Sequence, residues 1–133
     1  MLVTENLLRV TWYCIHFVSL KEEATLRAKL DGSGLLVFDI QGASIATEED
    51  LFSAVAKGLR FQDYFGKNWD ALDECLRDKA WLLAKGYVLL VRDAEQFWQQ
   101  AGRIAGAFVE AWLFAAEEWS RYGVPFHWVF LWS

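Results

Sequence analysis

The chain has 133 residues, a formal net charge of -5 and a hydrophobic content of 55% that includes eight tryptophans. That length bounds it to a single domain around one core, and that composition excludes low-complexity disorder. An acidic chain is repelled by phosphate backbones, which argues against direct nucleic-acid binding and against anionic membrane surfaces.

No apolar run reaches the roughly 18–20 residues needed to span a bilayer. The nearest, Val10 to Leu20, contains His16 and is flanked by Glu5 as well as Arg9. No small-residue cleavage pattern follows it, so a cytoplasmic protein is expected rather than a secreted one. Cys14 and Cys75 are too few for a disulfide framework and lie in apolar patterns. Buried free thiols are expected there.

In chain order, Val10 to Ser19 is rich in β-branched and aromatic residues and predicts a strand. Lys21 to Leu30 predicts a short helix, ended by Asp31-Gly-Ser-Gly34. Leu35 to Ile40 is a continuous apolar run with one acid, the pattern of a strand buried on both faces. Thr47 and Asp50 have the spacing of a capping box, and the helix after them is expected to bury Leu51, Val55 and Leu59.

Further on, Tyr87 to Val91 predicts another buried strand. Glu95 to Tyr122 is the longest helical pattern, with Phe97, Ala101, Ile104, Phe108, Trp112, Ala115, Trp119 and Tyr122 recurring at three or four residues. Gly123 and Pro125 stop it. Gly102 and Gly106 weaken it by roughly 1 kcal/mol each relative to Ala unless close packing needs them. Phe126 to Trp132 predicts a closing strand of aromatic and β-branched residues.

Strands alternating with helices predict an α/β fold, a small and mostly parallel sheet with helices packed on it. Strands apolar on both faces require helices on both sides of the sheet, or a partner. With no repeat, linker or second core visible, residues 1–133 are expected to form a single domain. Within it, residues 1–34 form an extra strand–helix unit on a core of residues 35–133.

The most informative segment is Phe61-Gln-Asp-Tyr-Phe-Gly-Lys-Asn-Trp-Asp-Ala-Leu-Asp-Glu-Cys-Leu76. It combines an aromatic turn, a glycine break, an Asn cap and a short helix. Asn68 is placed to accept a hydrogen bond from a free N–H of the first turn. Asp70 lies where the helix dipole favours negative charge. On a 3.6-residue period Trp69, Leu72, Cys75 and Leu76 share one face, and Asp70, Asp73, Glu74 and Arg77 the other. An exposed acidic face is on its own an ordinary solvated helix side.

The stretch Tyr64-Phe-Gly-Lys-Asn-Trp-Asp-Ala-Leu-Asp-Glu-Cys-Leu76 resembles the barstar family, intracellular protein inhibitors of a ribonuclease. The order of elements from Leu35 onward agrees as well, so the resemblance covers roughly residues 35 to 133. It implies that the acidic helix and its preceding loop plug a ribonuclease active site, with carboxylates in the place of substrate phosphates. It implies contact roles for Tyr64, Gly66, Asn68, Asp70, Asp73 and Glu74, with Glu74 entering the phosphate site. Three departures stand out: Glu74 replaces an Asp of the family, Asp73 replaces a tryptophan, and the acid that the family offers from its next strand has no match, since Leu90 and Val91 occupy that region and Asp93 comes later.

The expected partner is therefore a basic ribonuclease or ribonuclease toxin. The rival expectation is a protein-interaction module on the same fold whose partner is not a ribonuclease. An enzyme is not expected. Asp70, Asp73 and Glu74 share an exposed face that keeps all three ionised and alike, whereas acid–base chemistry needs environments that force such groups apart. No phosphate loop, metal-ligand spacing or nucleophile elbow is present, so no cofactor or metal is expected. His16 and His127, in two apolar strand patterns, are expected to be core or edge residues, and nothing indicates a homo-oligomer.

Overall fold

The computed structural model describes residues 2–11, 14–61, 67–78 and 84–133. Four strands form one parallel sheet: β1 Ile15–Ser19, β2 Leu35–Gln41, β3 Gly86–Arg92 and β4 Phe126–Trp132, in the spatial order β1-β4-β3-β2. Five α-helices accompany it among the described residues: α1 Leu2–Leu7, α2 Glu23–Leu30, α3 Glu48–Gly58, α4 Trp69–Leu76 and α5 Ala94–Ser120.

Side chains alternate across each strand, and this alternation builds two cores. Tyr87, Leu89 and Val91 of β3 and Phe126, Trp128 and Phe130 of β4 enter the larger one, with Leu51 and Val55 of α3, Leu72 and Leu76 of α4, and Phe97, Phe108, Trp112 and Trp119 of α5. The intervening Val88, Leu90, Val129 and Leu131 enter a smaller core closed by Leu7 of α1 and Leu26 and Leu30 of α2. Helices thus cover both faces, as strands of this composition require. Arg27 fastens α2 to the sheet edge, with its guanidinium on Asp39 at 2.5 Å and on Glu23 at 2.8 Å.

The strand expected to be buried on both faces from Leu35 does feed both cores, Phe38 and Ile40 the larger and Leu35 the smaller, but it lies at the edge of the sheet. In β2, Asp39 and Gln41 are exposed and only Leu35, Phe38 and Ile40 are buried. The doubly buried positions belong to β3 and β4, which are flanked by strands on either side. The strand expected from Val10 begins only at Ile15, because pairing supplies its stability: Ile15 to Ser19 register with Trp128 to Trp132 of β4. Val10 has no such partner strand and is exposed, while residues 2–7, not anticipated as a helix, form α1.

The remaining elements fall close to expectation. Thr47 Oγ1 accepts from the Asp50 N–H at 3.1 Å, and Asp50 Oδ2 accepts from the Thr47 N–H at 3.2 Å, completing the capping box. Leu51, Val55 and Leu59 are fully buried. In α5, Phe97, Ala101, Phe108, Trp112, Ala115 and Trp119 are buried, Ile104 is half-buried, and Tyr122, past the helix end, is exposed. The helix carries a non-helical residue at Ala101 (φ -145°, ψ 42°). A Cβ at Gly102 or Gly106 would meet nothing within 4 Å, so close packing requires neither glycine.

Candidate partner-binding helix

The acidic helix α4 is held from three sides. At its start Asn68, with extended backbone, accepts from the Ala71 N–H at 2.8 Å and satisfies one of the free donors of the first turn. Lys67 just before it is exposed and takes a left-handed conformation (φ 54°), which turns the chain into the cap. Along its floor Leu72 and Leu76 are fully buried, and Trp69 packs edge-on against Phe52 of α3 at 5.2 Å while its indole N–H donates to Glu48 at 3.3 Å. At its end the buried indole N–H of Trp119 donates to the Leu76 carbonyl at 2.7 Å, tying α4 to α5.

Against this floor the acids separate into two groups. Asp70 and Glu74, four residues apart and so on one face, are both exposed, and neither forms an ion pair among the described residues. Asp70 sits in the first turn, where the helix dipole favours a carboxylate. Asp73 lies further round toward α5 and binds Arg77 at 2.8 Å; that guanidinium rests 5.1 Å over the ring of Phe114. The four charged residues that one period assigns to a common face therefore form an open pair, Asp70 and Glu74, and a closed pair, Asp73 and Arg77. Cys75 registers the local charge: its half-buried thiol is pushed up, first by burial and then by the negative charges of Asp78 and Glu74. Tyr64 and Gly66 lie outside the described residues.

The two histidines are brought together across strands β1 and β4. The Arg9 carbonyl can only accept, so His127 Nε2–H donates to it at 2.8 Å; His127 Nδ1 then accepts from His16 Nε2–H at 2.9 Å. Burial holds both imidazoles below their ordinary value, His16 down to about 4. By strand alternation His127 points with Val129 and Leu131 into the smaller core, on the opposite face of the sheet from α4. The pair thus has no access to the acids of α4. Among the described residues no group of His, Cys, Asp and Glu side chains could hold a metal ion.

A family model described as barstar, the barnase inhibitor, matches residues 35–131. The chain belongs to the barstar family. The match runs from the first residue of β2 almost to the end of β4 and takes in α4, while α1, β1 and α2 lie outside it. A comparison with curated proteins returns no match. Barstar-family members are inhibitors rather than enzymes, which agrees with a helix that displays solvated carboxylates. No helix among the described residues is long and apolar enough to cross a membrane.

One feature beside the helix gives little sign in sequence. A cavity of about 410 Å3 between α4 and α5 is lined by Trp69, Asp73, Ala107, Glu110, Ala111 and Phe114. The Asp73–Arg77 spacing of four is legible as a helical ion pair. The juxtaposition of Trp69 and Asp73 with Glu110 and Phe114 depends on how two helices cross, and no local pattern encodes it.

Proposed function

We propose that this chain inhibits a basic ribonuclease or ribonuclease toxin by inserting α4 and the loop before it into the enzyme's active site. Asp70 and Glu74 stand in the place of substrate phosphates, with Glu74 the deeper of the two. The observation that carries this reading is the pair itself: two exposed carboxylates without ion-pair partners among the described residues, on a helix anchored at both ends, in a chain of the barstar family. Asn68 holds the edge of the contact, and Tyr64 and Gly66 join it by their place in the motif.

The physics is that of complementary charge. A chain of net charge -5 attracts a basic enzyme and speeds encounter, and the acids that become desolvated against Arg and Lys then set the rate of departure. The helix needs no rearrangement to present them, so little ordering cost opposes binding. Such an inhibitor acts in the cytoplasm, where it protects the cell's own RNA.

Cleavage of RNA by basic ribonucleases from the same source, titrated with this protein at low salt, tests the reading. Loss of cleavage complete near one equivalent is expected, weakening as salt is raised. Full cleavage at equimolar protein across those ribonucleases contradicts it. The closed Asp73–Arg77 pair, where the family has a tryptophan, favours a second reading in which the partner is a different basic protein. A complex that forms without any effect on cleavage would identify that case.

A further inference from the structure

We infer that the outer edge of β1 is an interface at which a second copy of this chain adds, antiparallel across a two-fold axis, to join the two sheets into one. β1 ends the sheet and lies outside the family match. The Cys14 carbonyl accepts from the Trp128 N–H of β4 at 2.8 Å. Backbone groups alternate in direction along a strand, so those of His16 and Val18 also turn toward β4, and the N–H and C=O groups of Ile15, Phe17 and Ser19 face outward. Among the described residues no strand takes them up. Natural edges are usually shielded by charge, proline or a bulge. The opposite edge follows that rule, since β2 carries the exposed Asp39 bound to Arg27. β1, with the sequence Ile15-His-Phe-Val-Ser19, has no Asp, Glu, Lys, Arg or Pro, and its register on β4 is unbroken.

This edge is complementary to itself. With the axis at Phe17, that residue pairs with Phe17 of the second copy and Ile15 with Ser19 of the second copy, so each outward N–H meets an outward C=O. His16 falls opposite Val18 between them. No like charges oppose one another along the ladder, and at ordinary salt the net charge of -5 is screened over longer distances. Residues opposite each other in an antiparallel pair share one face. That face holds Phe17, 64% exposed, stacked on Phe130 at 5.3 Å and edge-on to Trp132 at 6.0 Å. The second copy covers these rings with its own. At the Ser19 end an open hollow of about 490 Å3, lined by Phe17, Val18, Ser19, Trp132 and Ser133, lies where the register sets Ile15 of the second copy. One short strand edge with these rings buries less than roughly 1,200 Å2 in total, the weak end of specific interfaces, so dimer and monomer exchange.

Sedimentation equilibrium of the full chain between about 10 µM and about 1 mM, the span over which a weak contact fills, tests the inference. The mass should rise from 15.3 kDa toward twice that value. Over the same span the amide hydrogens of Phe17 and Ser19 should come to exchange at least about threefold more slowly, as their N–H groups enter the new ladder. Those of Glu48 and Glu49, in the first turn of α3, should not change. Phe17→Lys sets like charges against each other at the axis and should stay at 15.3 kDa throughout, while Gln41→Lys, on the β2 edge, should associate as the wild-type protein does. A constant 15.3 kDa for the wild-type protein would overturn the inference and leave the edge to a strand of another protein. A rise in mass without slower exchange at Phe17 and Ser19, or one that Phe17→Lys leaves intact, would also overturn it and place the contact elsewhere. The exchange measurement needs no substitution, so it decides the matter even if Phe17→Lys fails to fold.

Discussion

Replacing His16 with Gln isolates the proton linkage of the histidine pair, because a Gln amide still donates to His127 Nδ1. Burial, and then the neighbouring His127, hold folded His16 down to about 4, against about 6.5 in the unfolded chain. Between those values the unfolded chain binds the extra proton, so stability rises with pH across the window. The contribution is complete above about 6.5 and is lost as pH falls toward about 4. At full weight a displacement from 6.5 to about 4 corresponds to ~3.4 kcal/mol. His16 is partly open to solvent, and screening of exposed groups reduces this to roughly 1–2 kcal/mol. His127 is also held low, by burial, and is present in both proteins, so the comparison reads the contribution of His16 together with its coupling to His127. Urea unfolding at pH 7.5 and at pH 4.5 should show the wild-type protein losing roughly 1–2 kcal/mol more than His16→Gln, a midpoint difference of about 1 M at ordinary denaturant slopes. Identical pH dependence in the two proteins would refute the reasoning and mean that the imidazole pair opens to water as readily in the folded chain as in the unfolded one.

Three further outcomes follow from local geometry. Asn68→Ala removes the bond to the Ala71 N–H and should destabilise the protein by about 1 kcal/mol in urea, with Asn68→Ser restoring most of it; an unchanged midpoint would show that the first turn of α4 does not depend on its cap. Gly42→Ala would place a Cβ 2.7 Å from the Arg92 carbonyl oxygen and 2.9 Å from that of Asp93, backbone atoms that cannot yield cheaply, so a loss of roughly 1–3 kcal/mol is expected by thermal melting. Trp119→Phe deletes the donor to the Leu76 carbonyl and should cost ~1–3 kcal/mol while accelerating amide exchange in α4 ahead of the sheet, a pattern that distinguishes loss of the tie from general loosening.

How much of this was legible in the sequence depended on how local each signal is. The caps at Thr47 and Asn68 are encoded within four residues, and both form as their spacing predicts. The long helical period from Phe97 to Trp119 survives because each apolar residue meets the same sheet face. What failed was non-local. Leu35 to Ile40 has the composition of a central strand, but its place at the edge follows from β4 lying between β1 and β3. The extent of β1 is set by its register on β4, across more than a hundred residues, and not by the propensity of Val10 or Thr11. The same long-range pairing joins His16 to His127. In the candidate site, face assignment from a helical period was accurate for Leu72 and Leu76 but did not separate Asp73 from Asp70 and Glu74. That separation comes from α5, which offers Phe114 beneath Arg77.

On the proposed function α4 is the inhibitory surface, and Asp70 and Glu74 carry it. That claim is tested most directly by comparing Glu74→Ala with Lys67→Ala in inhibition of the ribonuclease partner at low salt. Lys67 is exposed at the edge of the cap, and removing its positive charge should leave inhibition of a basic enzyme equal or slightly stronger. Removing Glu74 should weaken inhibition by at least about thirtyfold, the scale on which loss of one partner of a desolvated charge pair acts. Equal effects of the two substitutions would contradict the account and place the inhibitory contact elsewhere on the molecule.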